Sequence, residues 1–241
     1  MLRKWDLKLR EKIDEWALRS EPPAWKQGRW HFRRALHKMV ADPVHEAQTS
    51  LRLLDEGYRQ WERDPPADEL VALMGRAHHQ RVLMEAALLA GHLERAADLA
   101  KSVISLEQEI SGRRRRHDSS FEIHSAHIVL GHVALQTGDL AAAQRHLLAA
   151  ADVSGRDPVL RTYGPDLELA QALLEEGLRE SVLEYLKTWR RKRWTVGREL
   201  LDWWIDQISQ ARPARVNKEK YLRTRRLRHF FPRLNRILSR D

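Results

Sequence analysis

Apolar side chains recur at three- and four-residue spacing along almost the whole chain, and no run alternates with period two between turn signals. The pattern predicts an all-α protein. Trp5, Leu9, Ile13 and Trp16 form one stripe of a first helix that stops at Pro22-Pro23, because the residue before a proline is pushed out of the α region. Asp42-Pro43 reads as N-cap and first helical residue of a second helix, with Val44, Ala47, Leu51, Leu54, Tyr58 and Trp61 on its buried side. "RDPPAD" ends that helix and caps the next.

Three helical hairpins follow. The first runs from Glu69 through "ELVALMGRAHHQRVLMEAALLAG", turns at Gly91 and resumes as "HLERAADLAKSVISLEQEI" up to Ser111-Gly112. The loop "GRRRRHDSS" leads to the second, "IHSAHIVLGHVALQTGDLAAAQRHLLAAADV", which turns at Thr137-Gly138-Asp139; the third is "DLELAQALLEEG" and "LRESVLEYLKTW", turning at Gly177. Aligned on their turn glycines, they place small residues (Ala86, Ala96, Gly131, Ala134, Ala143, Ala170) where two helices approach, with larger aliphatics between. In the middle hairpin Leu130-Gly131, Ala143, Leu147 and Ala150 follow the tetratricopeptide (TPR) order of small and large positions, although the turn glycines lie further apart than the ~34 residues of a regular repeat. The expected fold is therefore a TPR-like helical-hairpin array with irregular linkers.

Past Trp189, "RRKRWTVGRELLDWWIDQISQ" reads as a helix whose Leu200, Leu201, Trp203, Trp204 and Ile208 cover the last hairpin. "ARPARVNKE" reads as a linker. "KYLRTRRLRHFFPRLNRILSRD" reads as a basic amphipathic segment, with Leu227, Phe230, Phe231, Leu234 and Leu238 at helical spacing and a break at Pro232. The implied organisation is an N-terminal helical cap over 1–63, a repeat domain over 66–210 and a basic tail over 211–241.

Composition narrows the chemistry. A chain of 241 residues, 42% hydrophobic and 7% aromatic, can bury a substantial core. With no cysteine, disulfides, thiolate zinc sites and cysteine nucleophiles are excluded. The charged N-terminus has no signal-peptide core, and no eighteen apolar residues run together, so the chain reads as soluble and cytoplasmic. The net charge of +9 is localised: residues 211–241 hold eleven Lys and Arg against two Asp and Glu, and 1–210 balances to zero.

The stretch from His124 to Trp194 resembles a family of uncharacterised bacterial proteins with TPR-like repeats. The resemblance lies in "IHSAH", "LQTGD", "RHLLAA", "SGRDP", "TYGPDLELAQALLEEG" and "VLEYLKTW". Tyr163 stands where that family usually has Phe, and Asp166 where it has Asn. The resemblance implies an α-helical repeat fold and no activity.

Within this stretch His124 and His127 are three residues apart, His132 follows, and Asp139 and His146 lie on the facing helix. Two imidazoles and a carboxylate can hold zinc or iron, but neither "HExxH" nor a repeated Glu-x-x-His is present. The favoured reading has no metal and no cofactor: one of His124 and His127 is buried and hydrogen-bonds the "YGPD" loop, fixing how the second and third hairpins stack. In that loop Gly164 permits an unusual backbone angle, Pro165 fixes the next one and Asp166 caps the following helix. His124, His127, Tyr163 and Asp166 are the candidate partner-contacting residues.

No phosphate loop, nucleophile elbow or dinucleotide fingerprint occurs, which argues against an enzyme. "RRRR" at 113–116 reads as a solvated loop, and "WRRKRW" at 189–194 as tryptophans packed inward with the bases left wet. Arg223, Arg225, Arg226, Arg228, Arg233 and Arg236 are the candidate anion contacts, unless the tail only caps the repeats. The expected function is a protein-binding scaffold, with a peptide or helix in the groove of the repeats and the tail on an anionic partner. The alternative is a nucleic-acid-associated regulator whose tail contacts phosphates, and an anionic membrane is a further possible surface.

Overall fold

The computed structural model describes residues 46–216 apart from 115–117, 155, 193, 195–197, 213 and 215. Every regular element among the described residues is a helix. In chain order they are α1 (Ala47–Arg63), α2 (Glu69–Leu89), α3 (Leu93–Arg113), α4 (Ser120–Gln136), α5 (Leu140–Ala151), α6 (Pro158–Tyr163), α7 (Glu168–Glu175), α8 (Arg179–Arg191) and α9 (Arg198–Ser209). The first predicted helix, the Asp42-Pro43 cap with Val44, and the tail arginines Arg223, Arg225, Arg226, Arg228, Arg233 and Arg236 lie outside the described residues.

Local chemistry sets most helix ends. Asp68 caps α2 by accepting from the Val71 N–H at 3.0 Å, and Asp139 caps α5 by accepting from the Ala142 N–H at 2.8 Å. The three hairpin turns share one hydrogen-bond pattern. In each, the glycine N–H returns to a carbonyl three residues back and the next N–H to one five back: Gly91 to Leu88 with His92 to Ala87, Gly138 to Leu135 with Asp139 to Ala134, Gly177 to Leu174 with Leu178 to Leu173. The turn requires a left-handed residue, and the glycines take φ of 78°, 82° and 82°. The same pattern ends α9, where Ala211 bonds Ile208 and Arg212 bonds Gln207, but an alanine holds the left-handed position at φ 55°.

Helices of each hairpin pack together, α2 on α3, α4 on α5 and α7 on α8; α1 lies on α2, and α9 on α8. The first helices also touch in series, α2 with α4 and α4 with α7, while α5 meets α7 and α8. Helix α4 is the centre of this arrangement because it is apolar on nearly all sides. Its Ala126, Val129 and Leu130 join Val82, Leu83 and Met84 of α2 and Val103 of α3, together with Leu51 and Leu54 of α1. Its Ile128 and Ala134 join Leu147, Leu169, Leu173, Tyr185, Trp189 and Trp204. Gly131 makes the α4–α7 approach possible, since a Cβ there would sit 2.2 Å from Leu169 Cδ2.

The structure departs from the sequence reading in three places. Residues 158–163, expected as loop, form the short helix α6, with Pro158 at its start and Asp157 accepting from the Val159 and Leu160 N–H groups. The segment after Trp189 is not one helix: α8 continues to Arg191, and α9 begins only at Arg198. Trp203, expected to cover the last hairpin, is 51% exposed, whereas Leu201, Trp204 and Ile208 are buried against it. A helix one turn wide buries a single stripe, and adjacent tryptophans cannot both lie in it. The inward tryptophans of "WRRKRW" do occur: Trp189 and Trp194 are buried, while Arg190 pairs with Asp202 at 2.7 Å.

Nothing lies within 4 Å of a Cβ built on Gly138 or Gly177, so the cost of substitution there is one of backbone angle alone. Gly138→Ala and Gly177→Ala are each expected to destabilise by about 1–2 kcal/mol, and Ala211→Gly to stabilise by up to a similar amount. Denaturant midpoints of the three variants check this, and a stabilising Gly138→Ala is the result that contradicts it.

Candidate functional site

The "YGPD" loop is held from three sides. Gly164 ends α6 with φ 77°, and a Cβ there would meet Trp194 Cε2 at 2.3 Å, so both backbone angle and space demand glycine. Two residues on, the Asp166 N–H donates to His124 Nε2 at 3.0 Å, and the Asp166 carbonyl accepts the Tyr185 hydroxyl proton at 2.5 Å. The Asp166 carboxylate accepts from the Glu168 N–H at 2.7 Å, so it serves α7 from one position ahead of the cap residue Leu167. His124 is 1% exposed; since Nε2 is an acceptor, Nδ1 carries the proton and donates to the Ala150 carbonyl at 2.8 Å. The Trp189 ring meets the His124 ring edge-on at a centroid distance of 5.4 Å. Tyr185 is fully enclosed, and burial, reinforced by the Asp166 charge, holds its phenol well above the ordinary pKa.

His124 is thus the histidine that ties the second hairpin to the loop before the third. Any influence it has on a partner passes through the Asp166 loop. Tyr163 contributes the last residue of α6. His127 is turned away from the loop toward α5, with its Nδ1 3.3 Å from His146 Nδ1. Burial, with smaller contributions from His146 and His124, lowers its pKa to about 4; burial also lowers His146. Asp139 is not gathered with them, because its carboxylate caps α5. Among the described residues no three His, Cys, Asp or Glu side chains are grouped to hold a metal.

A second polar assembly lies where the first helices α2, α4 and α7 run side by side. Arg81 and Glu85, one turn apart on α2, pair at 2.7 Å, and the Arg81 guanidinium lies 5.1 Å from the Phe121 ring centroid on α4. Ser125 and His132 follow Phe121 on the same stripe of α4. Beyond them stands Asp166, whose charge acts on both Glu85 and His132, and α7 continues from it with Glu168 and Glu175 exposed on the side away from buried Leu169, Ala170 and Leu173. Burial raises the Glu85 carboxyl even though Arg81 opposes it, and the Asp166 charge adds to the rise. Burial likewise raises Glu122, with Glu107 and Asp157 adding and Arg81 opposing. Burial lowers His132, partly offset by Asp166.

The sequence reading did not single out Arg81, Glu85, Phe121 or Glu122. The available signal was the Arg-Glu pair at i,i+4 in the otherwise apolar run "RVLMEAALL", with Phe121 and His132 eleven residues apart on another helix. Elsewhere, a depression of about 570 Å³ separates α5 from α8, lined by Asp152, Glu184, Thr188, Arg191 and Lys192 among others. The Lys192 ammonium donates to the Val153 carbonyl at its edge, and burial lowers its pKa.

Two outcomes follow. His124→Leu leaves the Ala150 carbonyl and the Asp166 N–H without their partner and is expected to destabilise by about 2–6 kcal/mol, more than Gly138→Ala; equal midpoints for the two variants would contradict the bridge. His127, with a folded pKa near 4 against about 6.5 unfolded, makes the unfolded chain take up a proton first on acidification. Its contribution is therefore lost as pH falls from about 6.5 to about 4. Raised Glu85 and Glu122 act in the opposite sense, so the test is a difference: melting temperature should drop more for the unsubstituted protein than for His127→Gln between about pH 7.5 and pH 5.

Among the described residues no helix is long and apolar enough to cross a membrane. The chain matches no protein-family model, no characterised protein and no solved structure, so the functional reading rests on the geometry of the groove and its supports.

Proposed function

We propose that the protein is a non-enzymatic, cytoplasmic scaffold of TPR-like hairpins, holding a peptide or helix of a partner protein in the groove of α2, α4 and α7 while residues 211–241 dock an anionic partner. The observation that carries this reading is the polar cluster on the first helices: Arg81 and Glu85 pair on α2, the Arg81 guanidinium lies against the Phe121 ring of α4, and the Asp166 charge ahead of α7 acts on both Glu85 and His132. Glu85 keeps its charge partner Arg81 on this face yet is held at a raised carboxyl pKa by burial, a position that a cationic group of a partner would relieve. The shared glycine turn and the serial contact of first helices support the TPR-like description. His127 faces α5 and falls outside this surface.

The concentration of the net charge in 211–241 favours one second reading, a regulator whose tail contacts nucleic-acid phosphates. Affinity purification of the intact chain after nuclease treatment separates the two. A scaffold retains a defined protein at stoichiometric ratio and loses it in Glu85→Lys/Glu168→Lys. Loss of every partner on nuclease treatment, with binding to DNA or RNA that falls steeply with salt, supports the second reading and overturns the first.

A further inference from the structure

The groove and the tail carry opposite charge, and the chain leads from one to the other. On the groove side Glu85 keeps 36% of its side chain exposed, Glu168 and Glu175 are exposed and Asp166 is half-buried, while Arg81 is only 13% exposed and is directed at Glu85 and Phe121. Beyond the described residues, 217–241 contain nine Lys and Arg against Glu219 and Asp241, with Leu227, Phe230, Phe231, Leu234 and Leu238 between them. The last described residue before this segment is fixed on a groove helix: Val216 is 3% exposed, and its N–H donates to Gln171 Oε1 of α7 at 2.6 Å. Twenty-five residues span about 37 Å even as a helix, and packed helices stand about 8–10 Å apart, so the segment can reach from α7 across α4 to Glu85 on α2.

Resting on the groove reading above, we infer that the occupant of the α2–α4–α7 groove in the unbound protein is the chain's own residues 217–241, whose Lys and Arg side chains face Glu85, Asp166, Glu168 and Glu175. An outside anionic partner then gains the tail only by drawing it off the groove, and an outside protein gains the groove only by displacing the tail.

The absence of cysteine allows a direct test in the full chain. Ser125→Cys on the groove stripe is combined with Thr224→Cys in the tail, and disulfide formation under a mild oxidant is followed by non-reducing electrophoresis. Expected is an intramolecular disulfide in the monomer that forms about tenfold more slowly in ~0.5 M NaCl, because screening weakens the charge pairing. Glu85→Gln/Glu168→Gln should slow it at low salt, and excess synthetic peptide of residues 217–241 should suppress it. Ala141→Cys with Thr224→Cys, on exposed α5, sets the rate for undirected collision. A Ser125–Thr224 pair no faster than this control, indifferent to salt, or linked only between two chains overturns the inference. Partner capture is read with an outside protein and the disulfide within one chain, so either result can fail without the other.

Discussion

The fold turns on the backbone of a single residue. Asp166 gives its N–H to His124 and receives the Tyr185 hydroxyl at its carbonyl, joining α4, α8 and the head of α7 at one residue. Both partners are enclosed by apolar side chains, where an unmade hydrogen bond carries its full desolvation cost. Displacement of the loop would therefore strand His124, Tyr185 and, through Nδ1, the end of α5 at Ala150. Gly164 lets the loop lie against Trp194, which seals the same corner. The alignment of α4 with α7, and so the shape of the face they share, follows from this knot rather than from helix packing alone.

That face carries the polar side chains on which the proposed function rests. Helices α2 and α4 supply two apolar cores and yet carry Arg81, Glu85, Phe121, Ser125 and His132 along one line. Burial of Glu85 there raises its carboxyl even though Arg81 opposes the shift. In the inference drawn above, the acids of this face and the basic segment that follows Val216 make intramolecular and intermolecular pairing competitors for the same charges.

Much of the architecture was legible because the signals act over a few residues. Gly91, Gly138 and Gly177 mark left-handed turns that a Cβ would strain, and Asp68 and Asp139 satisfy helix N–H groups three residues ahead. The short helix α6 escaped notice although its Asp157-Pro158 start is of the same kind, since six residues offer too little periodicity to read. Trp203 and Trp204 were assigned together to the buried side; the helix buries only the second.

What the sequence alone determined is the all-helical class, the hairpin turns, the inward tryptophans of "WRRKRW" and the segregation of net charge into 211–241, all of which depend on neighbours in the chain or on composition. Tertiary structure decided which histidine meets the loop. His124 and His127 share a helix face in the sequence, but their partners Ala150, Asp166 and His146 lie 19 to 42 residues away. It also decided that Arg81 and Glu85 of α2 border Phe121 of α4 and the Asp166 loop, because burial, charge and reach across helices depend on interhelical packing that no local pattern encodes.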